Sequence, residues 1–370
     1  MPIEADLPLL TVRAIKAVPV MVPLNFVMGT SQQALREVPL LLIDVETEEG
    51  VTGRSYLFGY VRAALPAIAA ILGEVEAQTR GKKADPRALF AQLNKRFTLM
   101  GVQGVVRMAI AGFDVALWDA VAIAAGKPLA VMLGGEMTPL LAYNSCGLGL
   151  KDDLGALAAE AETLVAMGGF GAVKLRLGYP TLDGDIAAVR AVKKRIGDNV
   201  RLMVDYNQAL SLDEALARGR ALDAEGLYWL EEPIRHDDYA GEAQLARELN
   251  VPIQIGENFS LPANMRFAIE QGAADYVMPD LERIGGVSGW LEAAAIAAET
   301  NIPMSSHLFP EVSAHLLAVT STRHYLEYAD WAALLLQEPL RIDKGRAIIP
   351  QQPGNGMRWD DKAVARYRLD

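Results

Sequence analysis

The chain has 370 residues, 51% hydrophobic and 22% charged, enough to bury a full core and unlike a disordered segment. A net charge of -11 without a basic stretch argues against a nucleic-acid partner. The single cysteine, Cys146, excludes an intramolecular disulfide and any Cys-x-x-Cys metal or redox site, and fits a reducing, cytoplasmic setting.

At roughly 150 residues per domain the length fits two or three domains, or one large barrel with a cap. The acidic start lacks the basic residues of a signal peptide. No apolar run reaches the length of about 18 needed to span a membrane, so no membrane partner is expected. Residues 11–19, 38–46 and 53–58 are rich in β-branched and aliphatic side chains and read as strands. Residues 63–76, 86–99 and 105–125 carry apolar side chains at helical spacing. Together they predict an α+β unit over residues 1–135.

A second rhythm occupies residues 136–335. Strand-like runs fall at 140–145, 172–177, 202–207, 228–232, 253–258, 276–280, 304–308 and 325–327. Helical stretches at 153–167, 185–196, 212–223, 241–249, 262–271 and 287–299 separate most of them. Alternation of this kind predicts a parallel sheet with crossover helices, and eight strands predict a modified TIM (β/α)-barrel under an N-terminal capping domain. Residues 336–370 show no repeat and are expected to pack back on the cap.

Barrel strands place catalytic groups at their C-terminal ends. Asp205, Glu231 and Glu257 end three consecutive strands, which lie about 4.7–4.9 Å apart. Three converging carboxylates repel unless a cation sits among them, and oxygen donors without His or Cys suit Mg²⁺, with Mn²⁺ as a substitute. Lys174 and Arg176 lie on the strand before this trio, and Asp280 and His307 on the strands after it. Asp280 is expected to fix one tautomer of His307 and raise its basicity. Glu327, on the last strand, is expected to stay protonated and donate to an oxyanion. His236, His315 and His324 are read as structural, and Cys146, with no acid or His beside it, as incidental.

The motifs VPLLLID, GRSYLFGY, AVKLRLGYP, LMVDYNQ, WLEEP, QIGEN, MPDLERIGGVSGW and SSHLFPEVSAHLLA occur in this order. By these motifs the chain resembles the enolase superfamily and, within it, the mandelate racemase subgroup. The resemblance implies Asp205, Glu231 and Glu257 as Mg²⁺ ligands and Lys174 as the partner of the substrate carboxylate. It also implies His307 with Asp280 as a base and Glu327 as the electrophilic acid. Ser145 and Asn207 match positions that touch substrate, and residues 23–39 match a mobile flap with Phe58 and Tyr60 beside it. A homo-oligomer, as large as an octamer, is implied as well. The subgroup has a second lysine where this chain has Arg176, which stays protonated and is a poor proton acceptor. Gln32 in the flap and Ala329 after Glu327 point to a roomier, more polar pocket.

The expected activity is abstraction of the α-proton of a small 2-hydroxy carboxylate to give a metal-stabilised ene-diolate, as in a racemase. One alternative is dehydration of an acid sugar, an aldonate or aldarate, with His307 as base. A second is an inactive barrel that only binds a metabolite. A nucleotide-binding protein is not supported, because no G-x-G-x-x-G follows the first strand and Gly126-Lys127-Pro128 lacks the P-loop Ser/Thr.

Overall fold

The computed structural model describes residues 7–30 and 34–369. β1 (Val12–Gly29), β2 (Ala34–Thr47) and β3 (Thr52–Phe58) form an antiparallel sheet in the order β1-β2-β3. The described residues of the flap expected over 23–39 form the far end of the β1–β2 ribbon, with Val22 opposite Val38 and Gly29 opposite Ala34. β1 therefore runs ten residues beyond the predicted strand, because Pro19 and Pro23 interrupt the apolar pattern without ending the pairing. Gln32 lies outside the described residues.

α1 (Ala64–Thr79), α2 (Pro86–Phe97) and α3 (Val105–Ala124) follow. Asp85 caps α2 by accepting from the Ala88 N–H at 3.1 Å, and Pro86 occupies its first turn, where a missing N–H is harmless. α3 is apolar around most of its circumference and correspondingly buried from Val106 to Ala122. It lies between the N-terminal sheet and the barrel, and Ser288 donates to its Asp114 at 2.6 Å.

After α4 (Leu129–Met132), β4 (Leu140–Asn144), β5 (Ala172–Arg176), β6 (Arg201–Asp205), β7 (Leu230–Glu231), β8 (Ile253–Ile255) and β9 (Tyr276–Val277) pair in parallel and in sequence. α5 (Leu154–Ala166), α6 (Leu182–Ile196), α7 (Leu212–Leu222), α8 (Tyr239–Glu248), α9 (Pro262–Glu270), α10 (Leu281–Ile284), α11 (Gly286–Thr300) and α12 (Pro310–Leu317) connect and cover them. The stave expected over residues 304–308 is not a regular strand. It is held by isolated bridges, Met304 to Val277 and to Arg323, and His307 to Asp280. β10 (Leu326–Tyr328) closes the barrel by pairing with β4.

The tail divides between the barrel and the N-terminal unit. β11 (Arg341–Asp343) and β12 (Arg346–Ile348) form a hairpin that adds to β4 of the barrel. Beyond it, Asn355 and Trp359 bond Asp119 and Asp44 of the N-terminal unit, and α13 (Asp361–Tyr367) packs on β1. No helix among the described residues is long and apolar enough to cross a membrane.

Candidate active site

Asp205 and Glu231 are the last residues of β6 and β7, paired in register, and Glu257 stands two residues past β8. Gly256 makes the third position possible. Its φ is +136°, and a Cβ there would lie 2.7 Å from Phe259 and 2.9 Å from the Met278 nitrogen. Asn207, Gln208 and Glu232 also take positive φ at these strand ends, the kind of local strain that gathers where side chains must be aimed. Carboxylate oxygens of Asp205, Glu231 and Glu257 lie within 4.8 Å of one another. The donor set is oxygen only, which fits Mg²⁺.

Lys174 projects from β5 beneath this trio. Its Nζ lies 2.5 Å from Glu231 Oε1, 3.0 Å from Glu327 Oε1 and 3.4 Å from Asp205 Oδ2. Burial works against its charge, but Glu231, Glu327 and Asp205 outweigh burial and hold its pKa above the ordinary lysine value. Burial pushes Glu231 up to about 8, with Lys174 opposing and the neighbouring carboxylates adding to the rise.

Asp280 Oδ2 lies 2.6 Å from His307 Nδ1, and its Oδ1 accepts from the Glu282 and Arg283 N–H groups at the start of α10. His307 Nε2 faces the trio, 3.1 Å from Glu257 Oε2 and 3.9 Å from Glu327 Oε2. Burial disfavours the imidazolium, but Glu257, Glu327 and Asp280 raise its pKa well above the usual value. Glu257 is driven to about 2, burial being overcome by His307 and Arg283.

Glu327 closes the row from β10. It accepts from the Leu308 N–H at 2.8 Å and pairs with Lys174. Burial would raise its pKa, while Lys174, His307 and Arg176 lower it.

A cavity of about 210 Å³ opens over these groups. Of the expected residues, Phe58, Tyr60, Arg176, Asp205, Asn207, Glu257, His307 and Glu327 line it. Ser145 does not: it is buried behind Arg176 and accepts from Nη2 at 3.0 Å. Lys174 is also beneath the floor rather than in the wall. Asn207 donates to Asp205 at 3.0 Å, while its Oδ1 and the Nε and Nη1 of Arg176 are buried without a hydrogen-bond partner among the described residues.

Sequence reasoning had the flap segment 23–39 without singling out its Met28, Thr30 and Leu35, and it missed Gln208, Asn258, Arg283, Leu308 and Trp331. Gln208, Asn258 and Arg283 lie one to three residues beyond Asn207, Glu257 and Asp280, so strand-end position was the available signal. Nothing local marked Trp331.

The chain matches the family model described as mandelate racemase / muconate lactonizing enzyme, N-terminal domain, over residues 10–134, and that described as enolase C-terminal domain-like over residues 156–363. It superposes on an enolase from alpha proteobacterium bal199, solved with bound Mg, with TM-score 0.95 and 43% identity, covering 97% of this chain and 100% of that one. An enolase from Bradyrhizobium complexed with magnesium and mandelic acid gives TM-score 0.94 and 38% identity, covering 98% and 99%. The L-talarate/galactarate dehydratase of Salmonella typhimurium is 31% identical over 333 residues, 90% of this chain and 83% of that protein. The chain therefore belongs to the mandelate racemase/muconate lactonizing enzyme family of the enolase superfamily, as a Mg²⁺-dependent isomerase or lyase.

Proposed function

We propose that the protein takes the α-proton from a 2-hydroxy carboxylate, with His307 as the general base. The observation that carries this reading is the Asp280–His307 contact of 2.6 Å, which leaves Nε2 directed at the acid trio and the cavity. A cation held by Glu257 would take up much of the charge that raises His307, and Asp280 keeps the remaining proton on Nδ1, so Nε2 is the atom that accepts. Mg²⁺ held by Asp205, Glu231 and Glu257 supplies Lewis-acid stabilisation of the substrate's carboxylate charge, and Mn²⁺ is the expected substitute. Lys174 and Glu327 hold the floor beneath that carboxylate. The flap residue Met28 meets Arg176, Sδ to Nη2 at 3.9 Å, and helps exclude water.

The fate of the resulting ene-diolate depends on the face opposite His307. Arg176 stands at the other end of the acid row, 3.9 Å from Asp205 Oδ2. Racemisation is the first reading, supported by the mandelic acid bound to the Bradyrhizobium relative. Dehydration of an acid sugar is the second, favoured by Arg176 itself, a permanent donor that positions a substrate oxygen rather than taking a proton. The name of the Salmonella relative supports it too. The same reading carries a small carboxylate as partner, a cytoplasmic location and a homo-oligomer.

The test is α-proton exchange in D₂O with Mg²⁺ across hydroxy acids and sugar acids. His307→Asn is expected to lower exchange by about 10²–10⁴-fold. Equal exchange in that variant overturns the base assignment, and Mg²⁺ binding without exchange on any acid favours the inactive barrel. Arg176→Lys is expected to open exchange from the second face.

A further inference from the structure

Trp229 stands directly before β7, two positions ahead of Glu231, and both side chains are fully buried. Residues two apart on a strand share a face, so both point into the barrel, the indole deeper than the carboxylate. Trp229 Nε1 donates to Glu231 Oε2 at 3.0 Å, while Lys174 Nζ meets Oε1 at 2.5 Å. Each oxygen of Glu231 is thus held by one protein donor and keeps a lone pair for a further partner.

The other two acids of the trio are held from the cavity side. The Asn207 N–H and Nδ2 donate to Asp205 at 2.7 and 3.0 Å, and Glu257 meets His307 Nε2 at 3.1 Å and Asn258 Nδ2 at 3.3 Å. Asn207, Asn258 and His307 all line the cavity, whereas both holders of Glu231 lie below it. Of those two, Lys174 also pairs with Glu327 and Asp205. The indole has a single proton to give and can only donate it. Its ring has no room to turn. It meets Tyr143 edge-on, with centroids 5.3 Å apart at 86°, and Tyr325 at 6.0 Å and 72°. Tyr228 and His324 lie at 5.5 and 5.9 Å and are tied to each other, Tyr228 Oη to His324 Nε2 at 2.7 Å.

We infer that Trp229 is a positioning residue for the metal site. Its N–H, fixed by the aromatic cage at the base of the barrel, sets the rotation of the Glu231 carboxylate and so the affinity of the trio for Mg²⁺. The inference rests on Asp205, Glu231 and Glu257 being the Mg²⁺ ligands. Groups that orient a metal ligand in this way change affinity by about 10–100-fold when removed.

The test is calorimetric titration of Mg²⁺ into the metal-free protein, with no substrate present. Trp229→Phe removes the N–H and is expected to weaken Mg²⁺ binding by about tenfold or more. It also leaves a void in the cage, so a second variant separates packing from the hydrogen bond. Benzothienylalanine at position 229 carries sulfur in place of the indole N–H and keeps the shape of the ring. It is expected to weaken Mg²⁺ by about tenfold as well, while its metal-free urea midpoint stays above that of Trp229→Phe. A role in packing alone predicts that this isostere binds Mg²⁺ as tightly as the wild type. That result overturns the inference, even where Trp229→Phe does not fold. An isostere that no longer folds without metal would show that the N–H serves the fold rather than the ion, and overturns it too. Failure of the wild type to bind Mg²⁺ overturns the metal site beneath it.

Discussion

The Lys174 ammonium meets Glu231, Glu327 and Asp205 at 2.5, 3.0 and 3.4 Å with its side chain only 1% exposed. Such a buried cluster holds together because each charge has a partner, and removal of one partner leaves the others uncompensated. Lys174→Met in chelator is therefore expected to lower unfolding free energy by about 3 kcal/mol. Urea unfolding of wild type and variant in chelator checks this, and coincident midpoints would show that the cluster does not depend on Lys174. At this scale the sequence carried the residue types and their strand-end positions. It did not carry the three-way pairing of Lys174 or the place of Ser145 behind Arg176, because neighbours across strands are set by register.

Elements are tied to one another by single buried side chains, and His315 is the clearest of these. On α12, it accepts from the Ala130 N–H of α4 at Nδ1, 3.1 Å, and its Nε2 lies 3.2 Å from the Asn355 carbonyl of the tail. Burial pushes its pKa from 6.5 down to about 4, against the Asn355 contact. The folded state thus binds fewer protons than the unfolded state between those two values. Its contribution is complete above the unfolded pKa of about 6.5 and is lost as pH falls toward about 4, amounting to at most about 3 kcal/mol. Asp114, Asp119 and Glu311, raised to about 7 by burial, run the opposite way and lose stability as pH rises. The check is therefore a difference: urea midpoints of wild type and His315→Gln are expected to converge as pH falls from about 7 to about 4.5. A constant gap over that range would refute the assignment. The helices themselves were largely legible, since their apolar spacing is local. The seventh stave was legible in place but not in form, because isolated bridges to Val277 and Asp280 hold it without a regular ladder.

Across the whole molecule, the acid trio joins three separate strands of the barrel, so an ion bound there stabilises the fold as a unit. At a hundred times its dissociation constant, Mg²⁺ is expected to raise unfolding free energy by about 2.7 kcal/mol. Thermal melts should show a higher Tm with Mg²⁺, reversed by chelator and reduced in Glu231→Gln. A Tm indifferent to Mg²⁺ in the wild type would remove the trio as the metal site. The tail contributes at the same scale, pairing with β4 through β12 and reaching Asp119 and Asp44 through Asn355 and Trp359.

The sequence by itself determined the alternation of strand and helix, and hence the barrel, because side-chain periodicity is a local property of the chain. It also determined the ordered row of Lys174, Arg176, Asp205, Glu231, Glu257, Asp280, His307 and Glu327, since barrel strands deliver their last residues to one end. Only the tertiary structure decided the walls. Met28 reaches Arg176 from the flap, Trp331 and Leu308 enter from the closing staves, and the His236 N–H donates to Gln208 from 28 residues away. Periodicity tells which side of an element a residue occupies. Which loop from elsewhere meets it depends on how the closed sheet folds back on itself.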